Sequence, residues 1–189
     1  MTKYILTDID DTVLECANEL EAFCIKKLKR PSLGRLVDNY HIQNIFDIDD
    51  DTAEELSHDF WNSQEFFNLK PMNCSELILP KLYNQGWRFV AISACERNDR
   101  VRDARRKNLE DVFGFPWEDV YCTHGIEKSF YLKNFEPTYW VEDHWDNCQS
   151  GAELGHTSFL INRNYNLFDR EPPLFRRVNT WFEIDKLIS

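Results

Sequence analysis

From residue 70 onward, short apolar segments typical of β-strands alternate with segments that have the apolar periodicity of α-helices. A sheet built from such units has parallel strands, and helices cover both of its faces. The sequence therefore predicts an α/β protein with a three-layer, Rossmann-like core. The predicted strands are residues 3–8, 87–92, 118–122, 138–142 and 157–161, and the predicted helices are residues 74–84, 98–109, 127–134, 145–153 and 180–188.

Residues 16–72 interrupt this alternation directly after the first strand. Apolar residues at helical spacing predict a helix over residues 15–30. Thr52 and Glu55 have the spacing of a capping box, which predicts a further helix over residues 52–63. We therefore expect two units: a core made of residues 1–15 and 73–189, and a small helical domain, residues 16–72, inserted after the first strand.

The chain is acidic, because its 189 residues include 33 Asp and Glu against 22 Lys and Arg, a net charge of −11. This charge disfavours binding to nucleic acid or to an acidic membrane, although a local pocket can still bind a small anion. No apolar run approaches the roughly 20 residues of a membrane-spanning helix. Asp8 follows the first apolar run too soon for a signal peptide. The six cysteines lack the spacing of a zinc site or a secreted disulfide framework. We expect a cytoplasmic protein without a membrane partner, and a homodimer is compatible with the sequence.

Polar side chains follow several predicted strands at the end where the strand stops. In a parallel sheet these ends lie at one edge, where open α/β proteins bind their ligands. Carboxylates that converge there repel one another unless a cation lies among them, and an oxygen-only ligand set suits Mg²⁺. A lysine and a serine hydroxyl beside such a metal would provide what a phosphoryl group needs. The carboxylates are Asp8, Asp10, Glu142 and Asp143, the serine is Ser93 and the lysine is Lys128.

Four motifs in this order resemble those of the haloacid dehalogenase (HAD) superfamily of phosphatases. The first is residues 8–12 (DIDDT) after an apolar strand, which matches the pattern DxDx(T/V). The second is Ser93 after an apolar strand, and the third is Lys128, for which Lys133 is the alternative. The fourth is the acidic pair at residues 142–143. The resemblance implies a HAD-type core.

The resemblance also implies a role for each of these residues. Asp8 would be the nucleophile that forms an aspartyl-phosphate, and Asp10 would protonate the leaving alcohol and then activate water. Mg²⁺ would be bound by Asp8, by the backbone carbonyl of Asp10 and by Asp143. The residues that bind the phosphoryl group would be Ser93, Ala94 and Lys128, together with Arg97, which lies close to Ser93 in the sequence.

Two segments could be mistaken for functional motifs. Residues 47–52 (DIDDDT) are similar to the first motif, but Gln43 and Asn44 interrupt the apolar run before them. We interpret this segment as an exposed turn that leads into a helix. The basic residues that follow Arg97 are spread around the predicted helix at 98–109, which is typical of a solvent-exposed face.

Two further regions resemble the 5'(3')-deoxyribonucleotidase family within this superfamily. Residues 60–71 (FWNSQEFFNLKP) resemble the exit of that family's cap, and residues 162–166 and 176–181 resemble its C-terminal loop and helix. The resemblance implies a small helical cap of the C1 type over residues 16–72. It also implies a Mg²⁺-dependent phosphatase whose small-molecule substrates are deoxyribonucleoside monophosphates. Cap residues that could stack on the base, or equally form the core of the cap, are Tyr40, Phe46 and Phe66.

Two alternative functions remain open. Residues 93–97 (SACER) resemble the phosphatase domain of phage polynucleotide kinase, which would make the protein a polynucleotide 3'-phosphatase. The net charge of −11 weighs against such a nucleic-acid substrate. The other alternative is a non-catalytic HAD-like binding domain. Such domains usually lack the nucleophile or the acid, whereas this chain has both Asp8 and Asp10.

Overall fold

The structure is a computed structural model that describes residues 2–72, 74–167 and 174–188. At the centre of this part of the chain is a six-stranded parallel sheet. The strand order is β3-β2-β1-β4-β5-β6, so the chain moves from one side of β1 to the other between β3 and β4. Ligands of open α/β sheets bind at such a reversal. The predicted α/β class with a parallel sheet is confirmed. The strands are β1 Lys3–Thr7, β2 Trp87–Ser93, β3 Asp119–Cys122, β4 Tyr139–Glu142, β5 Thr157–Ile161 and β6 Arg176–Val178.

Between β1 and β2, the inserted segment forms five helices. Part of the insertion has a hydrophobic cluster of its own, which contains Leu36, Ile45 and Phe46. Phe60 and Phe66 instead belong to the main hydrophobic cluster, which also contains residues of the sheet. The insertion is therefore joined to the core by packing as well as by the chain. Its helices are α1 Ala17–Leu28, α2 Leu36–Asn39, α3 Ile42–Phe46, α4 Asp50–Trp61 and α5 Gln64–Phe67.

Neighbouring residues of the strands point to opposite faces of the sheet, and both faces are buried under helices. Ile5 and Phe89 pack on one face, whereas Leu6 and Val90 pack on the other. None of the helices in the described part of the chain combines the length and the apolar character needed to cross a lipid bilayer. The helices that cover the two faces are α6 Ser75–Asn84, α7 Asp99–Phe113 and α10 Trp181–Ile188 on the first, and α8 Ser129–Leu132 and α9 Trp145–Glu153 on the second.

The second acidic segment, residues 47–52, forms the turn between α3 and α4, as its interpretation predicts. Asp47 ends α3 in a left-handed conformation, with φ at 48°. Asp49 caps α4, because its Oδ1 accepts a hydrogen bond of 2.8 Å from the backbone N–H of Thr52. The helix therefore begins before the predicted start at residue 52, since Asp49 is a good N-cap residue. Helices α2 and α3 and strand β6 were not predicted because their segments show no clean apolar period.

The chain enters and leaves the insertion at one place. Leu14 and Pro71 form an antiparallel bridge. On either side of it, the Glu15 backbone N–H donates to Lys70 O, and the Met72 N–H donates to Val13 O, both at 2.8 Å. The two connections are thus hydrogen-bonded to each other and form a two-stranded link between the insertion and the core.

Gly151 marks a close approach between α9 and the sheet. A Cβ atom at this position would lie 2.3 Å from Trp140 Cδ1 and 3.1 Å from Ser158 Oγ. The Trp140 ring is fully buried, and its Nε1 donates a 3.1 Å hydrogen bond to the backbone oxygen of Asn147. The ring therefore cannot move aside easily, and glycine is required for close packing rather than for its backbone conformation.

We expect Gly151→Ala to lower the free energy of unfolding by about 1–3 kcal/mol, the usual cost of overpacking a core. Urea denaturation of the wild type and the variant would measure the loss. Gly34→Ala is the matched control, because a Cβ at Gly34 would have no neighbouring atom closer than 3.4 Å. An equal loss in both variants would show that the contact with Trp140 is not the cause.

Candidate active site

The loop after β1 holds two aspartates at the carboxyl edge of the sheet. The backbone N–H of Asp8 donates to Val141 O at 2.9 Å, which continues the pairing of β1 with β4. The chain then turns, and the Val13 N–H donates to Ile9 O at 2.9 Å. Ile9 is fully buried and anchors this turn. The side chains of Asp8 and Asp10 both reach the same cavity as a result.

Lys128 is buried between two carboxylates. Its Nζ lies 2.5 Å from Asp8 Oδ1 and 2.9 Å from Glu142 Oε2. Burial alone would lower the pKa of Lys128, but the two carboxylates outweigh burial and raise it. The other oxygen of Glu142 accepts the backbone N–H groups of Asp143 and His144, both at 3.1 Å. Lys128 is therefore a charged lysine held beside Asp8, and Glu142 orients it.

Asp143 lies beside Asp8, and the two carboxylates share a neighbour. Thr12 Oγ1 lies 3.3 Å from Asp8 Oδ2 and 3.2 Å from Asp143 Oδ1. The hydroxyl of Tyr165 donates to Asp143 Oδ2. Tyr165 comes from a short 3-10 helix, Asn164–Asn166, inside the segment 162–166 that resembles a family loop, but it was not predicted as a site residue. These contacts fix both carboxylates at the floor of the cavity.

This carboxylate cluster fits a hard divalent cation. One oxygen from each of Asp8, Glu142 and Asp143 lies within 4.8 Å of the others, and all three side chains are buried. Lys128 balances only part of their negative charge. Oxygen ligands and excess negative charge are what Mg²⁺ requires. Both oxygens of Glu142 are engaged, Oε2 with Lys128 and Oε1 with two backbone N–H groups, so Asp8 and Asp143, whose Oδ2 and Oδ1 face the shared Thr12 hydroxyl, are better placed to bind the metal.

Asp10 is oriented by two hydrogen-bond donors. Ser93 Oγ donates to Asp10 Oδ2 at 2.8 Å, and Arg105 Nη2 lies 2.5 Å from Asp10 Oδ1. Arg105 is fully buried, and its guanidinium carbon lies 4.2 Å from the centre of the Phe66 ring. The side chain of Asp10 keeps 26 % of its surface exposed, so a bound molecule can contact it. Arg105 was missed in the sequence because it belongs to the basic residues interpreted as an exposed face.

These residues open onto a cavity of about 620 Å³ between the core and the insertion. Among the described residues that line it, Lys128 is the only lysine or arginine. Aromatic rings also line the cavity, close to Asp143. The Tyr40 ring lies 5.1 Å from the Tyr165 ring and 5.2 Å from the His144 ring, measured between centroids. Tyr40 has a φ of 65°, a strained conformation for a tyrosine, and such strain often occurs at functional sites.

Four residues predicted to bind substrate do not line this cavity. Phe46 and Phe66 are 1 % and 0 % exposed and pack inside hydrophobic clusters, so neither can stack on a ligand. Aromatic residues of an insertion look the same in a sequence whether they face a ligand or a core. Ser93 is buried, and its hydroxyl is bonded to Asp10. Arg97 is exposed and lies outside the cavity wall. The predicted residues that line the cavity are Asp8, Asp10, Tyr40, Ala94, Lys128 and Asp143.

The pKa of Asp8 is raised to about 7 in the metal-free protein. Burial is the largest cause, Asp143 and Asp10 raise the pKa further, and Lys128 partly offsets them. An unfolded chain ionises this carboxyl near its usual pKa of 3.8. Below about pH 4 the carboxyl is protonated in both the folded and the unfolded state. As the pH rises from about 4 through about 7, the unfolded state releases this proton first, so the free energy of unfolding falls.

We expect Asp8→Asn to be more stable than the wild type at pH 8 in the presence of EDTA, by up to about 4 kcal/mol. The difference should shrink as the pH falls toward 4, since the wild-type carboxyl then becomes neutral. Urea denaturation at several pH values would measure it. Asp47→Asn, which changes an exposed aspartate, should differ from the wild type by less than about 0.5 kcal/mol. A pH-independent difference for Asp8→Asn would contradict the assignment.

No protein-family model and no curated protein matches this chain. Solved structures match it along its length. A structure described as a predicted phosphatase from Clostridium acetobutylicum is 15 % identical, with a TM-score of 0.70, over 100 % of this chain and 98 % of that one. YfnB from Bacillus subtilis, described as a HAD-hydrolase bound to magnesium, is 13 % identical, with a TM-score of 0.64, over 99 % and 98 % of the two chains.

The L-2-haloacid dehalogenase from Xanthobacter autotrophicus is also similar, with 11 % identity and a TM-score of 0.65 over 100 % of this chain and 98 % of that one. The three structures share an architecture but carry names for different reactions. At these identities the likeness concerns the fold. The chain therefore has the fold of haloacid dehalogenase-like hydrolases, as its motifs predict, and its reaction has to be argued from the site.

Proposed function

We propose that this protein is a Mg²⁺-dependent phosphatase that hydrolyses deoxyribonucleoside monophosphates through an aspartyl-phosphate on Asp8. The observation that carries the proposal is the set of side chains around one cavity. A buried carboxylate, Asp8, lies beside a buried lysine, Lys128, and beside a second carboxylate, Asp143, which could share a metal with it. A third carboxylate, Asp10, is oriented separately and stays accessible.

In the first half-reaction, a carboxylate oxygen of Asp8 attacks phosphorus, and the bond between phosphorus and the ester oxygen breaks. Asp10 donates its proton to that oxygen, which leaves as an alcohol. In the second half-reaction, Asp10 takes a proton from water, and the water oxygen attacks the phosphorus. The bond between Asp8 and phosphorus then breaks and releases phosphate. Throughout, Lys128 stabilises the negative phosphoryl oxygens.

Bound Mg²⁺ would supply electrostatic stabilisation of the phosphoryl oxygens and reduce the repulsion between them and the nucleophile. The carboxylates of Asp8 and Asp143 and the backbone carbonyl of Asp10 would hold it. Ser93 does not contact the substrate in this proposal. Its hydroxyl and the guanidinium of Arg105 instead orient Asp10.

The accessible carboxyl of Asp10 favours hydrolysis of a phosphate ester over haloacid dehalogenation. A halide ion leaves without a proton, so displacement of a halide from carbon needs no general acid next to the nucleophile. An alcohol leaves far more readily when it is protonated. Asp10 opens onto the same cavity as Asp8, so an ester oxygen bound beside Asp8 can reach it, which favours an ester substrate over a halide.

The proposal that the substrate is a nucleotide rests on the cavity wall beyond Asp8 and Lys128. Its volume of about 620 Å³ is within the range of small-molecule sites. The rings of Tyr40, Trp61 and His144 line it and can stack on a planar base. A polynucleotide is a poorer fit, because a strand needs a row of cations along its backbone. The cavity wall instead carries Asp50 and Glu54 on its outer side.

Phosphate release from a panel of substrates, with Mg²⁺ and with EDTA, tests the proposal. The panel contains dUMP, dTMP, dGMP, 3'-dTMP, UMP, a 3'-phosphorylated oligonucleotide and, for halide release, L-2-chloropropionate. We expect hydrolysis of the deoxyribonucleoside monophosphates that EDTA abolishes. Preference for the oligonucleotide would replace the proposal with a polynucleotide 3'-phosphatase. Release of halide alone would overturn the phosphatase assignment, and release from none of the panel would show that the proposed substrate class is wrong.

A further inference from the structure

Two histidines and a glutamate meet at the outer part of the cavity, away from Asp8. Glu54 and His58 are one turn apart on α4, so their side chains lie on the same face of the helix. His124 follows β3, and its backbone N–H donates to Cys95 O at 3.1 Å, which fixes its loop on the core. Glu54 Oε1 lies 3.7 Å from His58 Nε2 and 3.9 Å from His124 Nε2.

The surroundings of His58 orient its ring. Its Nδ1 lies 3.6 Å from Glu96 Oε2, so the Nε2 atom is the one directed toward Glu54. Glu96 is itself held, because Asn62 Nδ2 donates to the same oxygen at 2.6 Å. The Trp61 ring packs against His58 at 5.1 Å and against His124 at 4.9 Å, measured between centroids. A carboxylate behind one ring nitrogen is the usual support of a histidine that binds a metal through the other.

We propose that Glu54, His58 and His124 bind a divalent transition-metal ion of the Zn²⁺ class, which links the insertion to the core. Imidazole nitrogen suits Zn²⁺ better than Mg²⁺, and two histidines with one carboxylate form a known type of zinc ligand set. One ligand atom from each side chain lies within 4.8 Å of the others.

The two distances to Glu54 require only small adjustments, and the two histidine rings, whose centroids are 5.4 Å apart, have to turn toward each other. Ligand atoms about 2.0–2.1 Å from a tetrahedral zinc lie roughly 3.4 Å from one another. The two distances to Glu54 Oε1 exceed this value by a few tenths of an ångström. The side chains of His58 and His124 are 39 % and 38 % exposed, so rotation can bring them closer without disturbing a packed core.

A metal bound at this site would also affect how the insertion covers the cavity. Glu54 and His124 both line the cavity, one from the insertion and one from the core. A metal held by both would stabilise the arrangement in which α4 covers the cavity, and its fourth position would be open to water or to the outer part of a bound molecule. The bridge is separate from the carboxylates that would hold Mg²⁺.

The test is a Zn²⁺ titration of the full chain without an affinity tag, in excess Mg²⁺, against a chromophoric chelator. We expect one equivalent to bind. His58→Gln and His124→Gln, which lie on different elements, should each weaken binding by about 100-fold or more, and Glu96→Gln by about tenfold. Asp143→Asn should retain the site, because it changes only the carboxylate cluster. His41→Gln is the matched control, since His41 lines the same cavity outside the cluster.

Amide hydrogen exchange with and without Zn²⁺ tests the bridge, and circular dichroism checks that each variant is folded. We expect Zn²⁺ to slow exchange both in α4 and in the loop that carries His124. Protection of α4 alone would contradict a bridge. The metal site would be excluded if no stoichiometric binding occurred, if Asp143→Asn removed it, or if the two histidine variants bound Zn²⁺ as tightly as the wild type. None of these outcomes depends on phosphatase activity.

Discussion

Asp8→Asn is expected to lower phosphate release by roughly four orders of magnitude or more while the protein remains folded. Removal of a covalent nucleophile causes losses of this size, because the reaction then has no route through the covalent intermediate. The amide of asparagine has nearly the same shape as the carboxylate and can still accept the hydrogen bond from Lys128. The measurement is the rate of phosphate release from the best substrate of the panel, with circular dichroism as the check on folding.

The chain contains a matched control for this variant. Asp47 begins the second acidic segment, DIDDDT, but lies at the exposed end of α3. Asparagine tolerates the left-handed conformation of Asp47, so Asp47→Asn should fold normally and keep full activity. Residual activity of more than a few per cent in Asp8→Asn, or an equal loss in Asp47→Asn, would show that Asp8 is not the nucleophile.

Lys128→Met is expected to lower turnover by about 10²–10³-fold, the usual cost of removing one preorganised group that stabilises a developing charge. The variant should also be less stable, since the carboxylates of Asp8 and Glu142 would remain buried without their shared cation. Loss of one partner of a buried ion pair costs about 3–5 kcal/mol. Rates at saturating substrate would measure the first effect, and urea denaturation at pH 7 the second.

Lys133→Met is the control for this variant, because Lys133 was the alternative candidate for the third motif. Lys133 is exposed, and its Nζ lies 4.3 Å from the centre of the Phe130 ring, away from the cavity. We expect it to retain its activity and stability. If Lys133→Met were as impaired as Lys128→Met, or if Lys128→Met kept its activity within a few-fold, the assignment of Lys128 to the phosphoryl group would be wrong.

The parts of the site that follow strands could be predicted from the sequence. Asp8, Asp10 and Asp143 each come after a buried apolar run, and the order of the runs determines that they meet at one edge of the sheet. Lys128 could be proposed because it precedes the strand that ends at Glu142. In each case a short sequence pattern fixes the position of the side chain relative to the sheet.

The parts of the site that depend on packing could not be predicted. Arg105 is one of several basic residues on α7, and only its complete burial distinguishes it from its neighbours. Tyr165 reaches Asp143 from a three-residue helix, and the resemblance of residues 162–166 to a family loop did not indicate which of its side chains enters the site. Phe46 and Phe66 had the right side chains but are buried, Phe46 in the insertion's own hydrophobic cluster and Phe66 in the main cluster that includes residues of the sheet.

The double connection at Leu14 and Pro71 allows the length of the insertion to vary. The two ends are already hydrogen-bonded to each other, so the core spans the same short distance whatever the length of chain between them. Loop closure adds little cost as that length grows, since the cost rises only with its logarithm. Evolution can therefore change the wall that faces the substrate by altering residues 16–70 while the residues around Asp8 stay the same. The change is bounded at one point, because Phe66 of the insertion packs on Arg105, which orients Asp10.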